Sequence, residues 1–179
     1  MITVISGSNR KDSECLQFAK KFHEMLSTST EEQVKLLALE NIPHDWFFPE
    51  MYVKENQASS LQGIQDEFMI PASRFLFVTP EYNGSIPGAL KLFLDACSVR
   101  AYSETFNWKK AALAGVASGR AGNLLGLDHL AAVLNHLGVI TLPNRLPISR
   151  INSLMEGQEI IDAGTLGAME SHIKQFLEF

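Results

Sequence analysis

Apolar residues along the chain fall into two alternating kinds of segment. Short, largely continuous runs at 3–6, 34–39, 74–79, 111–118 and 139–142 read as strands buried on both faces. Between them, apolar residues recur at helical spacing. The sets are Cys15, Phe18, Ala19, Phe22 and Leu26; Leu61, Ile64, Phe68 and Met69, which predict a helix over 61–72; Leu90, Phe93, Leu94 and Cys97; Leu127, Leu130, Leu134 and Leu137, on a helix over 123–138; and Leu166, Met169, Ile173 and Phe176. Ser13 followed by Glu14 marks a helix start, and Pro87 stands at the first helical position, where proline is favoured. Strict alternation of strand and helix predicts a parallel sheet covered on both faces by right-handed crossovers. Two stretches break the pattern. Residues 40–60 are rich in proline, aromatic and polar residues without a period, and the segment after Pro143 wanders through Gly157. A long loop within a compact fold commonly carries function.

Composition narrows the picture by exclusion. A chain of 179 residues is long enough for one core and short for two, so one domain over 1–179 is expected. Acidic residues outnumber basic ones, 20 to 15, and no run of five Lys or Arg occurs, which argues against nucleic-acid and anionic-membrane partners. No stretch approaches the roughly 20 apolar residues that span a bilayer. The first residues carry no basic leader region, so a cytoplasmic protein is expected. Cys15 and Cys97 have neither C-x-x-C nor zinc-ligand spacing and read as small buried hydrophobes. His129 and His136 lie about 10 Å apart along one helix, too far to share a metal ion. His23, His44 and His172 have no ligand partner nearby in sequence, and no metal site is expected. Ser8 and Ser85 lack the G-x-S-x-G setting of a serine hydrolase.

In an open parallel sheet the ligand lies beyond the carboxyl ends of the strands, at a topological switch point. That rule selects three loops, 6–13, 80–88 and 118–123, each richer in glycine and small polar residues than a connection requires. The first runs into a helix N-terminus, where unpaired N–H groups and the positive dipole end favour a phosphate. Ser8, Arg10 and Ser13 add hydroxyls and a fixed positive charge. The loop is neither a P-loop nor a G-x-G-x-x-G turn, and a serine-lined loop suits a terminal monophosphate. In the second, Asn83-Gly84 supplies a tight turn and Gly84 lets the backbone approach a flat ligand, while Tyr82 is placed to pack on an aromatic ring. The third, Gly119-Arg120-Ala121-Gly122, sets two glycines beside an arginine ahead of a helix.

Gly7-Ser8-x-Arg10-x-x-Ser13 after the first strand, with the continuous Thr79-Pro80-Glu81-Tyr82-Asn83-Gly84-Ser85-Ile86-Pro87-Gly88-Ala89-Leu90-Lys91 after the third, resembles the NADPH-dependent FMN reductase family, a branch of the flavodoxin-like flavoproteins. Trp108-Lys109 and the glycine-rich loop after the fourth strand extend the likeness over nearly the whole chain. The resemblance implies a flavodoxin-like three-layer α/β sandwich with a five-stranded parallel sheet in the order 2-1-3-4-5. It implies FMN as cofactor, with Ser8, Asn9, Arg10 and Ser13 at the phosphate, Pro80, Glu81, Tyr82, Asn83, Gly84 and Ser85 along the isoalloxazine, and Ser118, Gly119 and Arg120 at its other edge. Backbone amides of Asn83 and Gly84 would tune the flavin, and no acid–base side chain is required, because hydride transfer belongs to the cofactor.

NADPH or NADH would be the donor. The acceptor would be a small molecule such as free flavin, a quinone, an azo compound or a metal oxyanion, reduced with ping-pong kinetics. The resemblance also implies a homodimer or homotetramer. Trp46, Phe47, Phe48 and Tyr52 would form a core cover, an aromatic wall over the flavin, or a subunit contact. Two departures stand out. The family often has adjacent glycines in the third loop and an arginine after leucine in the following helix; here the loop is Gly119-Arg120-Ala121-Gly122, and Ala131 follows Leu130. Both bear on the nicotinamide side and on subunit contacts. The rival reading is an FMN-binding electron carrier or redox sensor without NAD(P)H turnover. Acidic residues spread along the chain, rather than clustered as on a docking face, favour the enzyme.

Overall fold

The computed structural model describes all residues, Met1–Phe179. Five elements open the chain: β1 (Ile2–Ser6), α1 (Glu14–Ser29), β2 (Val34–Ala38), α2 (Ser59–Ile64) and β3 (Arg74–Pro80). They are followed by α3 (Gly88–Cys97), α4 (Tyr102–Phe106), β4 (Lys110–Val116) and α5 (Leu124–His136). The remainder is β5 (Ile140–Thr141), β6 (Leu146–Ile148), the small hairpin β7 (Met155–Glu156) and β8 (Glu159–Ile160), and α6 (Ala163–Glu178). The main sheet runs β2-β1-β3-β4-β5 with all pairs parallel, in the flavodoxin-like order expected.

Alternation along the central strands divides the core in two. Phe75 and Phe77 of β3, with Ala111 and Leu113 of β4, pack beneath α2, α3 and α5. Leu76 and Val78, with Ala112, Ala114 and Val116, face α1 and α6 on the other side. Both faces are therefore apolar, which is why these strands appear in the sequence as runs without polar relief.

The fifth strand is split. Ile140–Thr141 pairs with the start of β4, the chain leaves the sheet, and Leu146–Ile148 returns to pair with its end. Pro143 accounts for the break, since it has no N–H to give to a ladder. The helix expected over 61–72 begins at Ser59 and widens into a π-turn over Gln65–Met69. There the buried Gln65 side chain donates to Cys97 O, Arg100 O and Thr105 Oγ1. The short α4 and the β7–β8 hairpin were not expected from the pattern.

The long loop after β2 carries three single 3₁₀ turns, Leu39–Asn41, Pro49–Tyr52 and Lys54–Asn56. Its aromatic residues divide: Trp46 is buried in the core and Phe48 packs against it, whereas Phe47 and Tyr52 are 70% and 61% exposed. Cys15 and Cys97 are buried and unpaired. Burial pushes the Cys15 thiol up to about 12, so it remains protonated and inert. No helix is long and apolar enough to cross a membrane.

Candidate active site

Three loops meet at the carboxyl ends of β1, β3 and β4, which are neighbours in the sheet. The first leaves β1 at Gly7, whose N–H donates to Val78 O at 2.8 Å. A Cβ on Gly7 would lie 2.9 Å from Leu90 Cδ2, so glycine is what lets α3 pack this close to β1. Ser8 is buried, and its Oγ accepts the Arg10 N–H at 3.1 Å and lies 2.8 Å from the Tyr82 hydroxyl. Ser13 caps α1, its Oγ accepting from the Leu16 N–H at 3.4 Å. Asn9 and Arg10 are exposed, and Arg10 takes part in none of the ion pairs. The Asp12 N–H is held by Glu40 Oε2 at 3.1 Å, which ties the loop to the end of β2.

The second loop is a tight two-residue hairpin. Tyr82 and Ser85 exchange both backbone hydrogen bonds, at 2.9 and 3.2 Å. Asn83 and Gly84 between them have φ of 53° and 77°. This is the left-handed pair that Asn-Gly supplies at low cost. Nothing lies within 4 Å of where a Gly84 Cβ would be, so the turn offers bare backbone to open space. Pro80 ends β3, and the N–H of the exposed Glu81 reaches across to Val116 O at 3.3 Å. Ser85 Oγ lies 2.6 Å from His129 Nδ1 on α5.

The third loop leaves Ser118, Gly119 and Arg120 exposed, with open space beside Gly119 as well. It is anchored by Asn123, fully buried and left-handed at φ 62°, whose Nδ2 donates to Thr79 O at 3.0 Å. Each of the three loops is thus cross-linked to a neighbour: Ser8 with Tyr82, Thr79 with Asn123, Ser85 with His129. The sequence places Asn123 at the end of the third loop and rules His129 out as a metal ligand, but it gives neither one its partner, because Thr79 and Ser85 lie 44 residues away.

An apolar recess of about 290 Å³ opens beside the first loop, lined by Leu39, Ile42, Trp46 and Phe47 on one side and by Ala89 and Leu92 of α3 on the other. Of the residues expected at the site, only Asn9 borders it.

A model of the NADPH-dependent FMN reductase family matches residues 1–152. The chain belongs to that family. It is 31% identical over 147 residues to a 2-hydroxy-1,4-benzoquinone reductase of Burkholderia sp, covering 79% of this chain and 73% of that one. It is 30% identical over 143 residues to a quinone reductase of Pseudomonas putida, covering 79% and 72%. Among solved structures, the flavoenzyme NAD(P)H:(acceptor) oxidoreductase FerB of Paracoccus denitrificans superposes with a TM-score of 0.77 at 22% identity, over 99% of this chain and 94% of that one. An archaeal flavodoxin reaches 0.63 at 10% identity, over 99% and 98%. These two likenesses establish the fold.

As a member of the NADPH-dependent FMN reductase family, the chain is an oxidoreductase with FMN as cofactor and a reduced nicotinamide nucleotide as donor. The residues present fit such a group. Hydroxyls, a helix N-terminus and an unpaired arginine suit a monophosphate dianion, and the open space beside Gly84 and Gly119 leaves room for a flat ring.

The Ser8–Tyr82 link leads to a prediction. Tyr82 holds the Ser8 hydroxyl in one orientation before any ligand arrives, so Tyr82→Phe is expected to weaken FMN binding by about 1 kcal/mol, roughly fivefold in Kd. Titration followed by flavin fluorescence reads this directly, and an unchanged Kd would show that the link does not prepare the loop.

Proposed function

We propose that this reductase takes hydride equivalents from NAD(P)H and delivers them to a small quinone. In this reading the phosphate of FMN is held by Ser8, Asn9, Arg10 and Ser13, and its ring lies along Pro80–Ser85 with Ser118, Gly119 and Arg120 at the far edge. When bound, FMN supplies the hydride chemistry; the protein supplies position and electrostatics. The N-terminal amides of α1 and the Arg10 guanidinium stabilise the phosphate charge. The backbone amides of Asn83 and Gly84 orient and polarise the ring's reactive edge, a task for which a left-handed turn without side-chain cover is suited. A quinone is the acceptor that the names of the two relatives favour, over free flavin, azo compounds and metal oxyanions. The reading also takes residues 1–179 as one domain, active in the cytoplasm as a homodimer or homotetramer, with the exposed Phe47 and Tyr52 at a subunit contact.

The observation that carries the proposal is the convergence of the three loops at adjacent strand ends, cross-linked to one another yet open beside Gly84 and Gly119. Anaerobic mixing of the FMN-loaded protein with NADPH, and separately with NADH, tests it. Rapid bleaching of the visible flavin band is expected, and its rates rank the two nucleotides. Bound FMN that stays oxidised with both would overturn the donor assignment. Arg10 is exposed, so the lower end of the range for a charged hydrogen bond applies. Arg10→Ala is therefore expected to weaken FMN binding by about 1.5 kcal/mol, roughly tenfold, and unchanged affinity would remove Arg10 from the phosphate site.

A further inference from the structure

Reducing a quinone to a hydroquinone takes one hydride and one proton, and the reductase reading accounts only for the hydride. The side chains around the three loops offer few sources for the proton. Arg10 and Arg120 do not release one, Glu81 as a carboxylate is acceptor-only, and the Tyr82 hydroxyl is engaged with Ser8. Imidazole, by contrast, exchanges a proton near neutral pH; of the two imidazoles nearby, His44 lines the recess beside Asn9, and His129 is the one bonded to a residue of the Tyr82–Ser85 turn. The exposed His129 of α5 places Nδ1 2.6 Å from Ser85 Oγ, and Ser85 closes the turn in which Gly84 faces open space. The neighbouring charge on α5, Asp128, is paired with Arg145, which leaves His129 bonded to Ser85 alone.

A serine hydroxyl donates and accepts at once. When imidazolium Nδ1–H donates into Ser85 Oγ, the serine's own proton must point to a different acceptor. We propose that Ser85 gives this proton to the oxygen of the reduced quinone and that His129 is the positioning residue that aims and resupplies it. This assignment rests on the reductase reading above. The balance is closed: the quinone gains a hydride at one end and, at its anionic oxygen, the Ser85 proton. The Ser85 O–H bond breaks as the Nδ1–H bond of His129 breaks to replace it. His129 is left neutral, and its solvent-exposed ring recovers a proton from water.

The test compares reoxidation of the NADPH-reduced holoenzyme by 1,4-benzoquinone, which must be protonated, with reoxidation by ferricyanide, a one-electron oxidant that takes up no proton. Positioned proton transfer contributes from about a hundredfold upward where water is excluded, and less at an exposed site. In His129→Phe the benzoquinone-to-ferricyanide rate ratio is therefore expected to fall about tenfold. In His129→Ala added imidazole should restore the ratio, and in Ser85→Ala it should not. Independently of turnover, the ¹⁵N resonance of His129 Nδ1 in flavin-free protein should shift in Ser85→Ala. An unchanged ratio, a proportional fall with both oxidants, or an Nδ1 resonance indifferent to Ser85 would overturn the assignment. Failure of the reductase reading itself is seen separately, as wild-type protein that NADPH does not bleach, and it would take this assignment with it.

Discussion

Gly115→Ala should cost the protein about 3 kcal/mol and release its flavin, although the change adds a single methyl group in the middle of a strand. Gly115 lies in β4 between Thr79 of β3 and Pro147 of β6. The new Cβ would be driven into the backbone carbonyl of Gly122, with Asn123 Cβ at 3.0 Å and Leu127 Cδ1 at 3.1 Å. That carbonyl has no retreat. Gly122 is itself left-handed at φ 59°, with its Cα against Pro147 so that a Cβ there would lie 2.8 Å from the proline. Asn123 is locked by its hydrogen bond to Thr79 O. Overpacking costs about 1 to 3 kcal/mol when side chains can yield, and here the obstacle is backbone, which selects the upper end. For a chain of this size that lowers Tm by roughly 6 to 12 °C. The displaced segment is the third loop, so flavin content should fall as well. Gly63→Ala is the control: it lies in α2 with nothing within 4 Å of a Cβ, and it should be neutral or slightly stabilising. If the Gly115 variant melts with the wild type and stays yellow, the packing account of this loop is wrong.

This prediction also marks the limit of what the sequence made visible. β1, β3 and β4 were legible because strands buried on both faces run mainly apolar, with only Thr3, Ser6 and Thr79 as buried polar residues among them. The three loops were legible because glycine, serine and asparagine concentrate there. What joins the loops was not. Ser8 and Tyr82 are 74 residues apart, and pairs such as Asn123 with Thr79 leave no periodic trace. Gly115 itself was an ordinary small residue in an apolar run until the carbonyl it shelters was known. The fifth strand was half legible. Pro143 signalled the break, but the return at Leu146–Ile148 contains Pro147, which reads as loop, and is tolerated here because β6 pairs only with β4. The π-turn was hidden for a different reason. Leu61, Ile64 and Phe68 suit an α-helix, and the widening goes with the buried hydrogen bonds of Gln65, a tertiary demand that spacing does not encode.

His172 provides the second large effect, and it concerns pH. In the sequence the residue reads as an isolated histidine; in the structure it is 1% exposed on α6, edge-on to Phe22 at 6.4 Å, with neither ring nitrogen hydrogen-bonded. Burial pushes its pKa from 6.5 down to about 4. Between those values the unfolded chain binds a proton that the folded chain refuses, so stability is intact above pH 6.5 and is lost as pH falls towards 4. At about 1.4 kcal/mol per pH unit the loss reaches roughly 2.5 kcal/mol by pH 4.5 and about 3 kcal/mol near and below pH 4. Carboxylates titrate over part of the same range, but they do so equally in a variant that lacks the imidazole. Urea unfolding of wild type and His172→Leu at pH 7.5 and at pH 4.5 therefore isolates the histidine. The variant should be at least as stable at pH 7.5, since it removes two unpartnered polar atoms from the core, and it should keep about 2.5 kcal/mol more than the wild type at pH 4.5. Equal losses in the two proteins would mean that the ring titrates normally in the fold, through water or a rearrangement that reaches the space between α1 and α6.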